Sequence, residues 1–202
     1  MKNQQALTLR QRIDTLLPTW SWWILGLASF FIFQNIMAWM GGLYEATLHP
    51  ASIIAGQTTF NGDAIKGFYA SMIEQGTLTK YVQVQIYDYI LMTSMFAWLA
   101  GLCVAVYRSL PNVKTLKNIA WTLAILCPLA PMFDALENIV SFFMLAEPES
   151  FANWLALPYS SFAVIKFLLS SLGFAWIVIG GVISLIAWAI RLTKSTRKTV
   201  TS

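Results

Sequence analysis

The chain has 202 residues, of which 57% are hydrophobic and only 11% are charged. An ordinary soluble domain carries about 25% charged residues, so these side chains are too few to cover a water-soluble domain of this length. The composition also excludes a disordered chain, a disulfide-rich secreted domain and a nucleic-acid-binding domain. We therefore predict a single transmembrane domain over residues 1–202.

Four apolar stretches are long enough to cross a bilayer, which takes about 20 helical residues. In chain order they are residues 20–40, 85–107, 118–145 and 160–190. Their continuous apolar character predicts helices. The predicted fold class is therefore all-α: a polytopic membrane protein built as a four-transmembrane-helix bundle.

The basic residues indicate how the bundle is oriented. Ten of the 13 Lys and Arg residues lie in the amino-terminal tail, in the connection between the second and third spans, and in the carboxyl-terminal tail. The other two connections carry five acidic residues and two lysines. By the positive-inside rule, we expect a multi-pass protein of the plasma membrane, which is the inner membrane in bacteria, with both termini cytoplasmic.

The connection between the first two spans contains a repeat of large apolar residues. Its members have the spacing of one helical face: Ile65, Phe68, Tyr69, Met72 and Ile73. This pattern predicts a short amphipathic helix at about residues 62–76, facing outward, with Asn61 or Asp63 as its N-cap and Gly76 at its end. Such a helix either lies on the bundle or the lipid interface, or covers a site as a lid.

Four charged residues lie inside the predicted spans, where a charge must be paired and must face the bundle interior. They are Asp88, Asp134, Glu137 and Lys166. Counting helical rise from the span ends places all four at one level, in the outer half of the membrane, where Gln34 and Asn35 of the first span also lie. This shared level indicates a polar site.

The third span presents several polar residues on one helical face. Asp134, Glu137, Asn138 and Ser141 follow one another at i, i+3, i+4 and i+7. Pro128 and Pro131 precede them and are expected to kink the span.

The acids of these spans outnumber the single lysine. We therefore expect a carboxyl of the site to be protonated, or a cation to join it, or a loop residue such as Lys80 or His49 to enter.

Few residues of the sequence favour other chemistries. The one histidine, His49, is expected in solvent, and it is too few for a transition-metal site, so no metal is predicted. Cys103 and Cys127 form no C-x-x-C pair and are expected in the core. Ser170 and Ser171 are expected to pack helices together. No nucleotide-binding motif occurs, and no cofactor is predicted.

The intramembrane residues also resemble the pattern of a known group of proteins. Asp88, the P-x-x-D-x-x-E-N stretch of residues 131–138 and Lys166 are similar to the pattern of a group of small bacterial four-span membrane proteins. Gly76 and Tyr81 match a Gly and a Tyr that precede the second span of that group. The resemblance implies the four-span layout and a shared polar site, and it implies no activity.

We predict a binding protein rather than an enzyme. Asp88, Asp134, Glu137, Asn138 and Lys166 are expected to bind a small polar or cationic ligand, a lipid headgroup or a partner's membrane helix. In this role Asp134 and Glu137 accept hydrogen bonds or carry protons, Lys166 supplies the counter-charge, Asn138 orients the ligand and Asp88 acts as a gate.

Two alternatives stay open from the sequence. One is a lipid-modifying enzyme with Glu137 or Asp134 as general base and Lys166 holding an anionic group. The other is a structural accessory subunit, in which the charges form a clamp between helices. The expected partners are the lipid bilayer, a lipid or small polar ligand, and a membrane-protein partner or a second copy of the chain, with no nucleic acid.

Overall fold

The computed structural model describes residues 8–200, with the side chains of residues 8–193. Over that range the chain is all-α and contains no strand. Residues 1–7 and 201–202 of the predicted domain lie outside the described residues. Four of the ten basic residues that predict the orientation also have side chains outside the described part: Lys2, Lys194, Arg197 and Lys198.

The described part contains eight α-helices and two 3-10 turns. The helices are α1 (Leu9–Leu16), α2 (Thr19–Glu45), α3 (Ile53–Gln57), α4 (Gly62–Glu74), α5 (Leu78–Ser109), α6 (Lys114–Leu126), α7 (Ala130–Ala146) and α8 (Ala156–Val200). The turns are Cys127–Leu129, between α6 and α7, and Asn153–Leu155, before α8.

Four helical segments are long and apolar enough to cross a membrane, which confirms the predicted four-helix bundle. They are Thr19–Glu45, Leu78–Ser109, Lys114–Ala146 and Asn153–Thr193. Each is longer than the stretch predicted from the sequence. The reason is that an apolar window marks only the hydrocarbon part of a helix, whereas the hydrogen-bonded helix continues until a cap or turn ends it.

We call the end of the bundle with residues 46–77 and 147–155 the cap, and the opposite end, with α1, the base. At the base, α1 is fixed to α5 by polar contacts. Arg10 Nε donates to the Tyr107 hydroxyl at 2.8 Å, and this hydroxyl donates to Asp14 Oδ2 at 3.2 Å. Lys117 Nζ donates to the Tyr107 carbonyl at 2.6 Å. The contacts of Arg10 and Asp14 hold α1 against the last turn of α5, and that of Lys117 joins α6 to the same turn.

The central helix of the bundle is α5, which packs along α2 on one side and against α6, α7 and α8 on the other. The contact between α2 and α5 is close because glycines face each other there. A Cβ atom on Gly101 would lie only 2.8 Å from Gly26 Cα. The arrangement leaves α2 and α8 attached to different sides of α5.

The α-helix of the third span is interrupted by the 3-10 turn Cys127–Leu129, at the prolines for which the sequence predicts a kink. Pro131 has no N–H to donate to the Cys127 carbonyl, and the Ala130 N–H donates to that carbonyl instead. Cys127 and Cys103 are fully buried, as predicted.

The amphipathic helix of the cap is confirmed as α4. Asn61 is its N-cap, accepting from the Asp63 and Ala64 N–H groups at 3.0 and 3.1 Å. Gly76 follows its end with a φ of 68°. The buried face consists of Ile65, Tyr69 and Met72. Ile73, predicted on that face, is 41% exposed, because it lies at the edge of the apolar stripe.

Candidate functional site

The charged residues predicted inside the spans meet between α5, α7 and α8. Lys166 Nζ lies 2.6 Å from Asp134 Oδ1 and 2.6 Å from Glu137 Oε2. Asn138 Nδ2 donates to Asp88 Oδ2 at 3.0 Å. The structure therefore brings all five predicted site residues together on one side of α7, and we call Asp88, Asp134, Glu137, Asn138 and Lys166 the polar cluster.

Helix register explains why these residues meet. Asp88 is ten residues after Leu78, the first residue of α5, and Lys166 is ten residues after Ala156, the first of α8. Both therefore lie about 15 Å below the cap ends of their helices. The i, i+3, i+4 spacing on α7 points the side chains from Asp134 to Asn138 toward them.

The polar cluster is buried, but not evenly. Glu137 and Asn138 are 0% exposed, Asp134 is 5% and Lys166 is 7%. Asp88 is only half-buried. Lys166, the one cation of the cluster, is therefore buried together with two carboxyl groups, whereas the carboxyl group of Asp88 is more exposed.

Several buried oxygens at this level lack a donor. Among the described residues no hydrogen-bond donor reaches Gln85 Oε1, Glu137 Oε1 or Asn138 Oδ1. All three atoms are acceptors in the placement shown. The polar cluster and its neighbour Gln85 therefore hold more acceptors than donors.

A cavity of about 600 Å³ lies between α2, α5 and α8 and reaches the polar cluster. Its charged lining residues are Asp88, Asp134 and Lys166. Most of its other lining residues are apolar, and they include Phe33, Met37, Met40, Leu91, Met95, Trp98 and Phe174. The cavity thus joins a charged wall to a long apolar surface.

The cavity opens on the side of the bundle, because α2 does not pack along α8. Its exposed lining residues include Gln34 and Met37 on α2 and Ser171 and Phe174 on α8. This is the surface that would face lipid in a membrane. An amphiphile could therefore enter from the bilayer without passing through the cap.

The cap end of the cavity is covered by α3 and by His49. The His49 ring lies among the rings of Tyr44, Phe68 and Tyr81, with centroids 5.1 to 5.6 Å away. Burial lowers the pKa of His49 below its usual 6.5, although a hydrogen bond with the Ala51 backbone partly opposes this. The prediction that His49 lies in solvent is therefore wrong, because the chain turns back over the bundle at this point.

Residues of α4 cover the cap end of the bundle without lining the cavity. Tyr69 of α4 is 1% exposed, and its hydroxyl lies near Ser141 of α7. Burial, together with the nearby Tyr81, raises the pKa of Tyr69 well above its usual value of 10.0. Ser141, which shares the helical face of Asp134, is fully buried and does not line the cavity.

Some predicted residues stand apart from the cavity, and some unpredicted ones line it. Glu137 and Asn138 belong to the polar cluster but do not line the cavity. Asn35 is exposed and donates to the Phe31 carbonyl at 2.7 Å. Ser170 and Ser171, expected only to pack helices, line the cavity, and so does Trp98.

Among residues 8–193, no three His, Cys, Asp or Glu side chains converge as ligands for a metal ion. No family model, curated protein or solved structure matches this chain. The resemblance to small bacterial four-span proteins therefore stays a prediction.

Proposed function

We propose that the chain binds a membrane amphiphile, a molecule with a polar head and an apolar tail, in the cavity between α2, α5 and α8. The observation that carries the proposal is one charged wall, formed by Asp88, Asp134 and Lys166, in an otherwise mainly apolar cavity. An apolar pocket with a few converging polar groups is the usual form of a small-molecule site. The head would lie at the polar cluster and the tail along α2 and α8.

The geometry favours binding over the enzymatic alternative. A general base needs a carboxylate that is free to take a proton from a substrate. Asp134 lines the cavity, but it is held at 2.6 Å by Lys166. Glu137 is also held by Lys166 and lies outside the cavity.

A purely structural role accounts for only part of the site. The contacts of Lys166 with Asp134 and Glu137 clamp α8 to α7, as the structural alternative requires. This clamp leaves unexplained both the half-buried Asp88 and the cavity beside it. We therefore assign the ion-paired residues to the support of the site and Asp88 to contact with the ligand.

The distribution of charge supports a plasma-membrane orientation with the base in the cytoplasm. The described basic residues of the base are Arg10, Arg12, Arg108, Lys114, Lys117 and Arg191, whereas the cap and its borders carry Glu45, Asp63, Glu74, Glu147 and Glu149. Basic segments stay on the cytoplasmic side. In this orientation the polar cluster lies in the outer leaflet of the membrane. In a bacterium this plasma membrane is the inner membrane.

Two adjacent glycines of α2 provide a matched test of the proposal. Gly41 lines the cavity and Gly42 does not. A Cβ atom at either position meets no other atom within 4 Å, so both positions accept a side chain. Gly41→Phe should fill part of the cavity, whereas Gly42→Phe should leave it unchanged.

The measurement is native mass spectrometry of protein purified from membranes in dodecyl maltoside. We expect a lipid-mass adduct on the wild type and on Gly42→Phe, and its loss from Gly41→Phe. Equal adducts on all three proteins, or none on any of them, would contradict the proposed site.

A further inference from the structure

We infer that the bound amphiphile carries a primary ammonium head group, which lies between Asp88 and Gln85. This inference rests on the proposed function and specifies the chemistry of its ligand. Two independent observations support it: the charge of the cavity wall and the excess of acceptors around it.

Lys166 has its anionic partners within the polar cluster. Its ammonium group already contacts Asp134 and Glu137 at 2.6 Å each. Among the described side chains, no cation lies within ion-pair distance of Asp88. Asp88 is therefore a carboxyl group on the cavity wall without a cationic partner, and a cation in the cavity would supply one.

An anionic head group would meet the opposite situation. Two carboxyl groups already lie 2.6 Å from Lys166 Nζ, so an anion bound to its remaining N–H would lie beside the carboxyl groups of Asp134 and Asp88 on the same wall. Like charges brought together in a medium of low dielectric constant repel each other strongly. A phosphate or carboxylate head is therefore a poor match for this wall.

The unpaired acceptors make the head group more specific. Gln85 is 4% exposed and lines the cavity, and its enclosed Oε1 has no donor among the described residues; a head group in the cavity meets this oxygen once the amide turns over and exchanges its two ends. The amide of Asn138 has its nitrogen toward two acceptors, Asp88 Oδ2 and the Gln85 carbonyl, which fixes Oδ1 as the oxygen that lacks a donor.

A primary ammonium group has three N–H donors and no acceptor. It would therefore supply both the charge that Asp88 lacks and a donor for Gln85. A quaternary ammonium group would supply the charge without any donor. Neutral alcohols would supply one donor without the charge.

The test uses three probes with the same tail: decylammonium, decyl phosphate and 1-decanol. Each is titrated into the full-length protein in dodecyl maltoside, and binding is measured by native mass spectrometry. The binding that Gly41→Phe abolishes and Gly42→Phe retains is taken as specific to the cavity. Subtracting the signal of Gly41→Phe from that of Gly42→Phe removes the signal of probe molecules that are only dissolved in the detergent micelle.

We expect decylammonium to bind at least about tenfold more tightly than the other two probes, a difference typical of one charge-assisted contact. Asp88→Asn should weaken decylammonium binding by about tenfold and leave 1-decanol unchanged. Gln85→Leu should also weaken decylammonium selectively. Glu74→Gln, which alters an exposed acid at the end of α4, is the matched control and should change nothing.

The outcomes separate the two proposals. Cavity-specific binding of decyl phosphate or 1-decanol at least as tight as that of decylammonium would overturn the head-group inference and keep the proposed function. If decylammonium binds in the cavity and neither Asp88→Asn nor Gln85→Leu weakens this binding, the head-group inference is likewise overturned and the proposed function is kept. If Gly41→Phe affects no probe, both proposals fail.

Discussion

Asn138 donates its side-chain amide to Asp88 across 3.0 Å, so a neutral donor, and not Lys166, holds the Asp88 carboxyl on the cavity wall. Lys166 is instead enclosed between Asp134 and Glu137. The polar cluster therefore has a closed, ion-paired part between α7 and α8 and a more open part on α5. Substitutions in the two parts should have different effects.

Substitution in the closed part should destabilise the fold. Lys166→Met leaves the carboxyl groups of Asp134 and Glu137 buried without a cation, which should cost about 3–5 kcal/mol. The measurement is the free energy of unfolding in mixed micelles. Lys80→Met, which alters an exposed lysine near the start of α5, is the control and should change little.

Neutralising the acids should reverse part of this loss. Lys166→Met combined with Asp134→Asn and Glu137→Gln removes the buried negative charge, and its stability should lie between that of Lys166→Met and the wild type. If Lys166→Met unfolds at the same denaturant concentration as Lys80→Met, the ion-paired clamp does not exist.

The close contact between α2 and α5 should resist added volume. Gly101→Ala places a Cβ atom 2.8 Å from Gly26 Cα, so the helices must separate, and we expect a loss of about 1–3 kcal/mol. Gly67→Ala is the matched control, because its Cβ atom meets nothing within 4 Å on the exposed side of α4. It should be neutral or gain up to about 1 kcal/mol from helix propensity. Equal effects at the two positions would argue against the close packing.

The stability of the cap should depend on pH through His49. Burial lowers the pKa of His49 in the fold below 6.5, the usual value that applies to the unfolded chain. As the pH falls through 6.5, the unfolded chain takes up the proton first, so stability present at neutral pH is lost on acidification. The Tm of the wild type should fall more between about pH 7.5 and pH 5 than the Tm of His49→Gln. Parallel Tm curves for the two proteins would show that His49 does not contribute.

The proposed orientation can be tested by labelling in intact cells. Lys80→Cys places a thiol near the cap and Lys114→Cys places one at the base, and both positions are exposed. The native thiols of Cys103 and Cys127 are buried and should not react. A membrane-impermeant maleimide should label Lys80→Cys in intact cells and Lys114→Cys only after lysis. The reverse pattern would place the base outside.

The sequence predicts the level of the polar cluster because helical rise converts residue number into depth. Counted from the predicted span ends at residues 85 and 160, Asp88 and Lys166 both lie within about two helical turns of the outer end. In the structure each lies ten residues after the first residue of its helix. The N-cap of α4 was also predictable, since a side-chain oxygen at Asn61 can accept from the first free N–H groups.

The cavity could not be predicted in the same way. It exists because α2 and α8 pack on different sides of α5, which depends on close contacts such as that of Gly26 with Gly101. No spacing in a single sequence records how far apart two such helices lie. The cover of the cavity could not be predicted either, because α3 has only five residues and is too short to show a periodic pattern.

The most direct test of the account is an experimental structure of the protein in lipid nanodiscs, at a resolution that shows bound lipid. The account predicts elongated density that enters between Met37 and Phe174 and ends in a head within hydrogen-bond distance of Asp88 and Gln85. Contact between α2 and α8 that closes the cavity, or lipid density confined to the outer surface of the bundle, would contradict it.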